Sequence, residues 1–227
     1  MTVSFVGSAA AEATSVTLPT HQAGDLIIIW AHNSANTTPP TMPAGWGNLY
    51  NISRAVGANR GTTVAHKQAT SSAETSGTWT NAQIIGCLVY RHTTNVITIG
   101  GHIAQTDNNS TSWFYAGLAA ATATNATLHI RSATAFIVLL AACNSNALAI
   151  ETAPSSFTQR LTLAGASVNE IAAFESNAAV SSYAGSTISL GGTGIGSTFT
   201  LEIYDTGIAK SSGGGFRPVN IRGGADQ

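Results

Sequence analysis

Short runs of Val, Ile, Thr and aromatic residues recur along the chain with turn-forming residues between them, a pattern that predicts β-strands. Two runs, Leu26–Ile29 and Phe136–Leu140, are continuously apolar, and such strands are expected to be covered on both faces. Others, such as Thr62–Gln68 and Phe199–Tyr204, alternate apolar and polar side chains, so that one face should be solvated. The pattern predicts an all-β protein, a two-sheet antiparallel β-sandwich that is jelly-roll-like, with the two apolar runs as central strands.

Two predictions concern local structure. The short run Ser15–Leu18 is expected to form a strand of its own. The glycine-rich stretch from Gly192 to Gly196 lacks the lysine and the following helix of a phosphate-binding loop, and it is expected to form a hairpin turn between Thr187–Leu190 and Phe199–Tyr204.

The two halves of the chain resemble each other. Ile27 and Ile137 lie at an offset of 110 residues, and Trp46 and Phe157 lie at an offset of 111, with a proline shortly before each aromatic residue. This pattern favours two diverged halves, although the alternation of strands and turns alone also produces some similarity by chance.

The end of the chain differs in composition from the rest. Lys210–Gly215 is typical of a flexible linker, and the segment after it favours an extended conformation. We therefore expect a β-sandwich domain at 1–209 and a linker with a C-terminal arm at 210–227. The arm is expected either to bind a neighbouring subunit along a sheet edge or to be a frayed tail. Its predicted binding residues are Phe216, Arg217, Pro218, Val219 and Ile221.

Charge excludes several classes of partner. Only 8% of the residues are charged, against about 25% in typical proteins, and the formal net charge is −1. No strong field therefore attracts nucleic acid or anionic lipid. The longest apolar run is too short to span a membrane, and the N-terminal residues lack a signal-peptide pattern, so a soluble protein made in a cytoplasm is expected.

The sequence contains no recognisable catalytic or metal-binding motif. Its six histidines show no close pair with metal-ligand spacing, and no serine-hydrolase elbow is present, so we predict no enzyme, no metal and no cofactor. Asp25 is expected to accept hydrogen bonds from the backbone of a turn. The acidic residues Glu170, Glu175, Glu202 and Asp205 are each expected to be a solvated strand-face or turn residue. Two cysteines, Cys87 and Cys143, are each expected to be a small buried hydrophobe, and a disulfide between them stays open.

Aromatic residues among small polar ones suggest a second kind of site. Trp79, Trp113 and Tyr115 are flanked by Ser, Thr and Asn. An exposed aromatic platform of this type binds sugar rings in many β-sandwiches, so these three residues are candidates for glycan binding. The alternative is that they close the ends of the sandwich.

Near its N-terminus the chain resembles a group of tailed-bacteriophage virion proteins. The resemblance lies in Gly24–Ile29, in the Pro-x-Gly-Trp segment Pro43–Trp46 and in the next strand, Thr63–Ala69. It implies a virion component with a β-sandwich fold and transfers no catalytic residue.

The function expected from this resemblance is that of a structural virion protein, a capsid decoration or cement protein made in the host bacterial cytoplasm. Its expected partners are the major capsid protein or tail subunits and further copies of itself, with a trimer favoured. The alternative is a glycan-binding receptor-recognition module of a tail or spike, with a host glycan as its ligand.

Overall fold

The computed structural model describes residues 3–35, 37–54, 60–120, 130–132, 134–144, 153–166 and 169–210. Throughout these ranges the protein is all-β, with two five-stranded antiparallel sheets packed face to face and no helix. The first sheet contains β1 (Ser4–Ala11), β2 (Leu26–Asn33), β3 (Gly47–Arg54), β4 (Arg60–Gln68) and β5 (Ile84–Arg91). The second contains β6 (Asn95–Tyr115), β7 (Phe136–Cys143), β8 (Phe157–Gly165), β9 (Asn169–Ser176) and β10 (Ser186–Ala209). The predicted two-sheet β-sandwich is confirmed.

Each half of the chain forms one sheet, and the two sheets have the same topology. The strand orders are β1-β5-β2-β4-β3 and β6-β10-β7-β9-β8, which are identical after a shift of five strands. The predicted offset of 110 residues holds for the whole of the central strands, since Leu26–Asn33 corresponds to Phe136–Cys143. The polypeptide crosses between the sheets once, between β5 and β6. This connectivity differs from a jelly roll, in which the chain passes repeatedly from one sheet to the other.

The core between the sheets is built from the inward faces of the two central strands. Leu26, Ile28 and Trp30 of β2 belong to the same buried cluster as Val138 and Leu140 of β7. The indole Nε1 of Trp30 donates a hydrogen bond of 3.2 Å across the core to the main-chain oxygen of Ala141. Burial of these large side chains between two facing sheets supplies the main driving force for the sandwich.

The outward faces of the central strands are covered by the chain's own connections. Every residue of β2 is buried, and its outward-facing Ile27 and Ile29 pack with Trp46 and Trp79, which lie outside the strands. The two tryptophan rings meet edge to face, with centroids 5.7 Å apart. On the second sheet Phe157 and Tyr183 form a similar pair at 5.6 Å. The predicted coverage of both faces of the apolar strands is confirmed, and it gives the protein four layers.

Two local predictions are wrong. Residues Ser15–Leu18 form no strand, and Val16 is instead buried in the cover over the first sheet. The expected hairpin turn around residues 192–196 lies inside β10, which runs without interruption from Ser186 to Ala209. Extra residues between Ser189 and Gly194 are absorbed as an irregularity in its pairing with β6. Gly196 is needed for space, because a Cβ there would collide with the Trp113 ring and the Ala142 oxygen.

The two cysteines lie too far apart in the fold to form a disulfide. Cys87 packs in the cluster outside the first sheet, and Cys143 packs in the cluster outside the second. Both are buried and neither forms a disulfide, and burial raises the pKa of Cys87 to about 12. They therefore serve as small hydrophobic residues, as the sequence predicts.

The close approach of the sheets at Gly86 gives the first testable prediction. A Cβ on this glycine would lie 2.7 Å from the Trp30 ring and 2.9 Å from Ile171. We expect Gly86→Ala to lower the free energy of unfolding by roughly 1–3 kcal/mol, the usual effect of overpacking a core, as measured by urea denaturation. In a Trp30→Phe background the destabilisation by the same substitution should be smaller, because the distal ring atoms are gone. An equal loss in both backgrounds would show that the contact with Trp30 is not the cause.

Candidate functional site

The structure does not provide the expected aromatic platform for sugars. The side chains of Trp79, Trp113 and Tyr115 are all fully buried, so none of them offers a ring face to a ligand. Trp79 packs against Trp46 and donates its Nε1 hydrogen to the main-chain oxygen of Ser76 at 3.0 Å. The expectation that these aromatics are exposed is therefore wrong, because the outward apolar faces of both sheets require them as cover.

The second sheet shows the same use of aromatic residues. Trp113 and Tyr115 belong to the cluster outside that sheet, and Tyr115 meets Phe174 edge to face at 6.3 Å. Phe114, which lies between them on β6, points the other way and is 43% exposed. Strand alternation thus places one of three consecutive aromatics on the surface.

The predicted arm residues lie outside the described residues: Phe216, Arg217, Pro218, Val219 and Ile221. The structure does show how Lys210, the last described residue, is held. The backbone N–H of Lys210 donates to the main-chain oxygen of Thr94 at 2.7 Å. The Lys210 side chain lies 3.1 Å from the position that a Cβ would take on Gly24.

Asp25 has the structural role that the sequence predicts and one further partner. Its carboxylate accepts a 2.9 Å hydrogen bond from the backbone N–H of Gln22, which confirms the expected turn. It also accepts two hydrogen bonds from the Arg91 guanidinium, at 2.8 and 2.6 Å. The hydrogen bond to Asp25 raises the pKa of Arg91. Arg91 is 66 residues away in sequence, and no local pattern indicates this partner.

Three acids that were predicted to be solvated are buried: Glu170, Glu175 and Glu202. The expectation for these three residues is therefore wrong. Glu175 forms an ion pair with Arg160, with 3.0 Å between Oε2 and Nε. The Glu202 carboxylate accepts hydrogen bonds from the backbone N–H groups of Gly101, Arg131 and Ser132. Burial raises the pKa of Glu202, and these hydrogen bonds oppose that rise. Each of these two carboxylates thus connects segments of the fold.

Three histidines lie inside the sandwich. His32 is fully buried, and its Nδ1 lies 2.8 Å from the Thr62 hydroxyl. Burial and, secondly, the positive charge of Arg60 lower the pKa of His32 to about 3. His66 and His102 are half-buried, and burial lowers the pKa of both. All three are therefore neutral in the folded protein near pH 7.

The next two observations concern metal-binding groups and membrane-spanning helices in the described residues. Among the residues that the structure describes, no group of three or more His, Cys, Asp or Glu side chains could hold a metal ion. The same part of the chain contains no helix long and apolar enough to cross a membrane.

A groove of about 610 Å³ lies in the cover of the first sheet. One wall is the connection between β1 and β2, and the other is the connection between β4 and β5. We call it the cover groove, and its lining residues are Ala11, Ser15, Val16, Thr17, Leu18, His21, Ser72, Glu74, Thr75, Ser76, Gly77 and Thr78. Its volume is in the range usual for ligand sites, about 300–1,000 Å³.

Hydrogen bonds hold the two walls of the cover groove together. The backbone N–H of Val16 donates to the Ser76 hydroxyl at 3.0 Å, and that of Trp79 donates to the main-chain oxygen of Thr14 at 2.7 Å. Gly77 adopts a φ of 67°, and a Cβ there would lie 2.7 Å from Pro43. The walls are thus fixed by contacts within the protein. No sequence motif marks this site, because its walls are about 60 residues apart in the chain.

The chemistry of the cover groove is dominated by hydroxyl groups. Five of its residues are exposed Ser or Thr: Ser15, Thr17, Ser72, Thr75 and Thr78. Its carboxylate, Glu74, accepts hydrogen bonds from the Lys67 ammonium at 2.5 Å and from the backbone N–H of Thr70 at 2.9 Å. Although burial alone would raise it, these bonds lower the pKa of Glu74 to about 2. The charge of Glu74 is therefore matched by Lys67.

Comparisons with protein-family models, with curated proteins and with solved structures found no match for this chain.

The buried histidines predict how stability depends on pH. The pKa of His32 is lower in the folded protein than the value near 6.5 of an unfolded chain, so the unfolded state binds more protons below pH 6.5. Stability should be highest above about pH 6.5 and should fall as the pH decreases towards 3. Between pH 7 and 5 the contribution of His32 is about 1–2 kcal/mol. It can be measured as the difference in urea unfolding free energy.

His32→Gln is the matched variant for this measurement. His66 and His102 shift in the same direction, so the variant should retain part of the pH dependence and lose the share of His32. A pH dependence identical to that of the unsubstituted protein would contradict the assignment, whatever the absolute stability of the variant.

Proposed function

We propose that this protein is a structural component of a tailed-bacteriophage virion, a capsid decoration protein that contacts neighbouring subunits. The observation that carries the proposal is the near absence of charge from the described surface. Among the charged residues whose side chains the structure describes, only Glu12 and Arg131 are largely exposed. A surface of hydroxyl and amide groups loses little solvation energy when another subunit covers it, which suits a protein of an assembly.

Most of the remaining charges act inside the fold. Three ion pairs connect separate segments: Arg91 with Asp25, Lys67 with Glu74 and Arg160 with Glu175. Partly buried pairs of this kind fix geometry more than they add stability. The charged groups of the described chain are thus mostly engaged in structure, which supports a structural role without enzymatic activity.

The residues of the virion-protein resemblance have structural roles, in keeping with the proposal. Asp25 closes the turn before β2 and anchors Arg91. Trp46, at the end of the Pro-x-Gly-Trp segment, is a lid over the outward face of the first sheet.

Edge strands of the two sheets lie side by side at two corners of the sandwich, β1 beside β8 and β3 beside β6. The hydrogen bonds that join the edges differ between the two corners, and this difference suggests where a neighbour binds. At the corner between β1 and β8, the Ser8 hydroxyl donates to the Arg160 oxygen at 2.7 Å, and the Glu12 carboxylate accepts from the Ala166 N–H at 2.8 Å. At the corresponding corner between β3 and β6, the Tyr50 hydroxyl lies 2.8 Å from Nδ1 of His102.

Strand β3 is an edge strand of the first sheet, and it is more exposed to solvent than β1, the other edge strand of that sheet. Its residues Gly47, Asn48, Asn51 and Ser53 are exposed, and none of them is charged. An edge strand whose exposed residues from Gly47 to Ser53 carry no charge is a surface on which another extended segment can pair. We propose the C-terminal arm of a neighbouring copy, or a segment of the major capsid protein or a tail subunit, as that partner, with a trimer as the favoured assembly.

The alternative function is a glycan-binding receptor-recognition module of a tail or spike. Its predicted aromatic residues are buried, so the specific observation that now favours it is the hydroxyl-lined cover groove.

Removal of the arm tests the proposed function. The full chain and a variant lacking Phe216–Gln227 are mixed with particles of the encoding phage that lack this protein, and bound copies are counted after sedimentation. We expect the full chain to bind and the truncated chain to lose at least about 90% of its occupancy, since main-chain pairing and apolar anchors are both removed. Thermal unfolding of the two proteins should coincide, because the deletion removes none of the residues that the structure describes.

A double substitution, Phe216→Ala with Ile221→Ala, should weaken binding similarly, and Asn220→Ala should leave it nearly unchanged. Equal occupancy of the full and truncated chains would reject the arm as the contact. Failure of the full chain to bind any particle would reject the virion function itself.

A further inference from the structure

We propose that the cover groove is a binding site for a neutral oligosaccharide. This inference rests on the alternative glycan-binding function and adds the class of its ligand; it is independent of capsid decoration, because adhesion to a capsid needs no ligand groove. The five exposed hydroxyls of the groove stand on both walls, with Ser15 and Thr17 on one wall and Ser72, Thr75 and Thr78 on the other. In the described structure none of these five hydroxyls forms a hydrogen bond with the protein. A hydroxyl both donates and accepts hydrogen bonds, and this is the complement of a sugar hydroxyl.

The electrostatics of the groove favour a neutral ligand over an anionic one. The carboxylate that lines the groove, that of Glu74, is paired with Lys67, and no cationic side chain lines the groove in the part of the chain that the structure describes. A phosphate, sulfate or sialic acid would therefore find no Lys or Arg side chain in the lining to pair with its negative charge.

His21 adds a hydrogen-bond acceptor to the lining. Its Nδ1 lies 2.7 Å from the main-chain oxygen of Pro19, which can only accept, so the Nδ1 nitrogen carries the proton. The other ring nitrogen, Nε2, is then an acceptor in the neutral ring, and it has no hydrogen-bond partner among the described residues. His21 is only 7% exposed, so a small rotation of its side chain is needed before Nε2 reaches a ligand hydroxyl.

The backbone of the walls disfavours an extended peptide as the ligand. Peptides bind extended segments through main-chain hydrogen bonds, and here the Val16 N–H is already bonded to Ser76 and the Thr14 oxygen to Trp79. Val16 and Leu18 contribute apolar surface between the hydroxyls, and the C–H faces of sugar rings pack on surface of that kind. The wall-to-wall bonds also hold the hydroxyls in place before a ligand arrives, which lowers the entropy lost on binding.

Saturation-transfer NMR and titration calorimetry with the full chain test the inference. The probes are neutral hexose and N-acetylhexosamine oligomers of about four to six rings, a sialylated oligosaccharide of similar length and an uncharged Ser/Gly peptide. We expect at least one neutral oligosaccharide to bind saturably with a Kd near or below about 1 mM, and the sialylated one to bind at least about tenfold more weakly.

The matched variants remove hydroxyls while keeping side-chain shape. Thr17→Val with Thr75→Val should weaken binding of the neutral oligosaccharide by about tenfold, the effect of losing one to two hydrogen bonds. Thr187→Val, at an exposed threonine on the second sheet, should leave the affinity unchanged.

Three outcomes would overturn the proposal. These are no saturable binding of any neutral oligosaccharide up to about 10 mM, an affinity that the groove variant does not change, and binding of the peptide in place of the sugars. Occupancy on phage particles is a separate measurement. A failure to bind sugars would therefore not contradict the proposed virion function, and a failure to bind particles would not contradict the sugar site in the cover groove.

Discussion

The architecture depends on one constraint, which is that the two central strands are apolar on both faces. Every residue of β2 is buried, and in β7 only Phe136 is partly exposed. The inward faces are satisfied by the opposite sheet, with the Trp30 indole reaching the Ala141 oxygen across the core. The outward faces need a further layer, and the connections between strands provide it. Because these connections are buried in part, their backbone groups need partners, which is why Val16 bonds to Ser76. The walls of the cover groove are thus a consequence of strand composition.

The repeat of the two halves concerns packing, and their polar interactions differ. Val89 pairs with Ile27 in the first sheet, and Glu202 pairs with Ile137 at the corresponding place in the second. The first half keeps this position apolar, whereas the second buries a carboxylate there and satisfies it with three backbone N–H groups. Conversely, Asp25 corresponds to Ala135. Each half therefore buries at least one acid at a position where its counterpart has an apolar residue, so the two halves could diverge in polar contacts while the strand order stayed the same.

What could be predicted from the sequence depends on the range of the interactions involved. The double coverage of Leu26–Ile29 and the repeat follow from local composition, so both were predictable. The partner of Asp25 was not, because Arg91 comes from the end of a different strand. The glycines around 192–196 were read as a turn because hairpin turns and strand irregularities both use glycine.

The sequence left the exposure and the burial of Trp79 both open. Its neighbours Ser76 and Thr78 suggest exposure, yet the segment lies over an apolar sheet face that is formed elsewhere in the chain. Composition describes the segment itself and not what it covers. The same limit applies to the cover groove, whose two walls meet only after the first sheet has formed.

The distribution of charge links the fold to the proposed functions. The ion pairs at Asp25, Glu74 and Glu175 hold connections and strand ends together, so the outer surface is left to hydroxyl and amide groups. Contacts made by such a surface depend on shape and hydrogen bonding and are little affected by salt, because screening acts on charges. A decoration protein and a neutral-sugar site require the same property, namely weak individual contacts that persist across ionic conditions. A chain with few charges, most of them used inside the fold, has that property over most of its described surface.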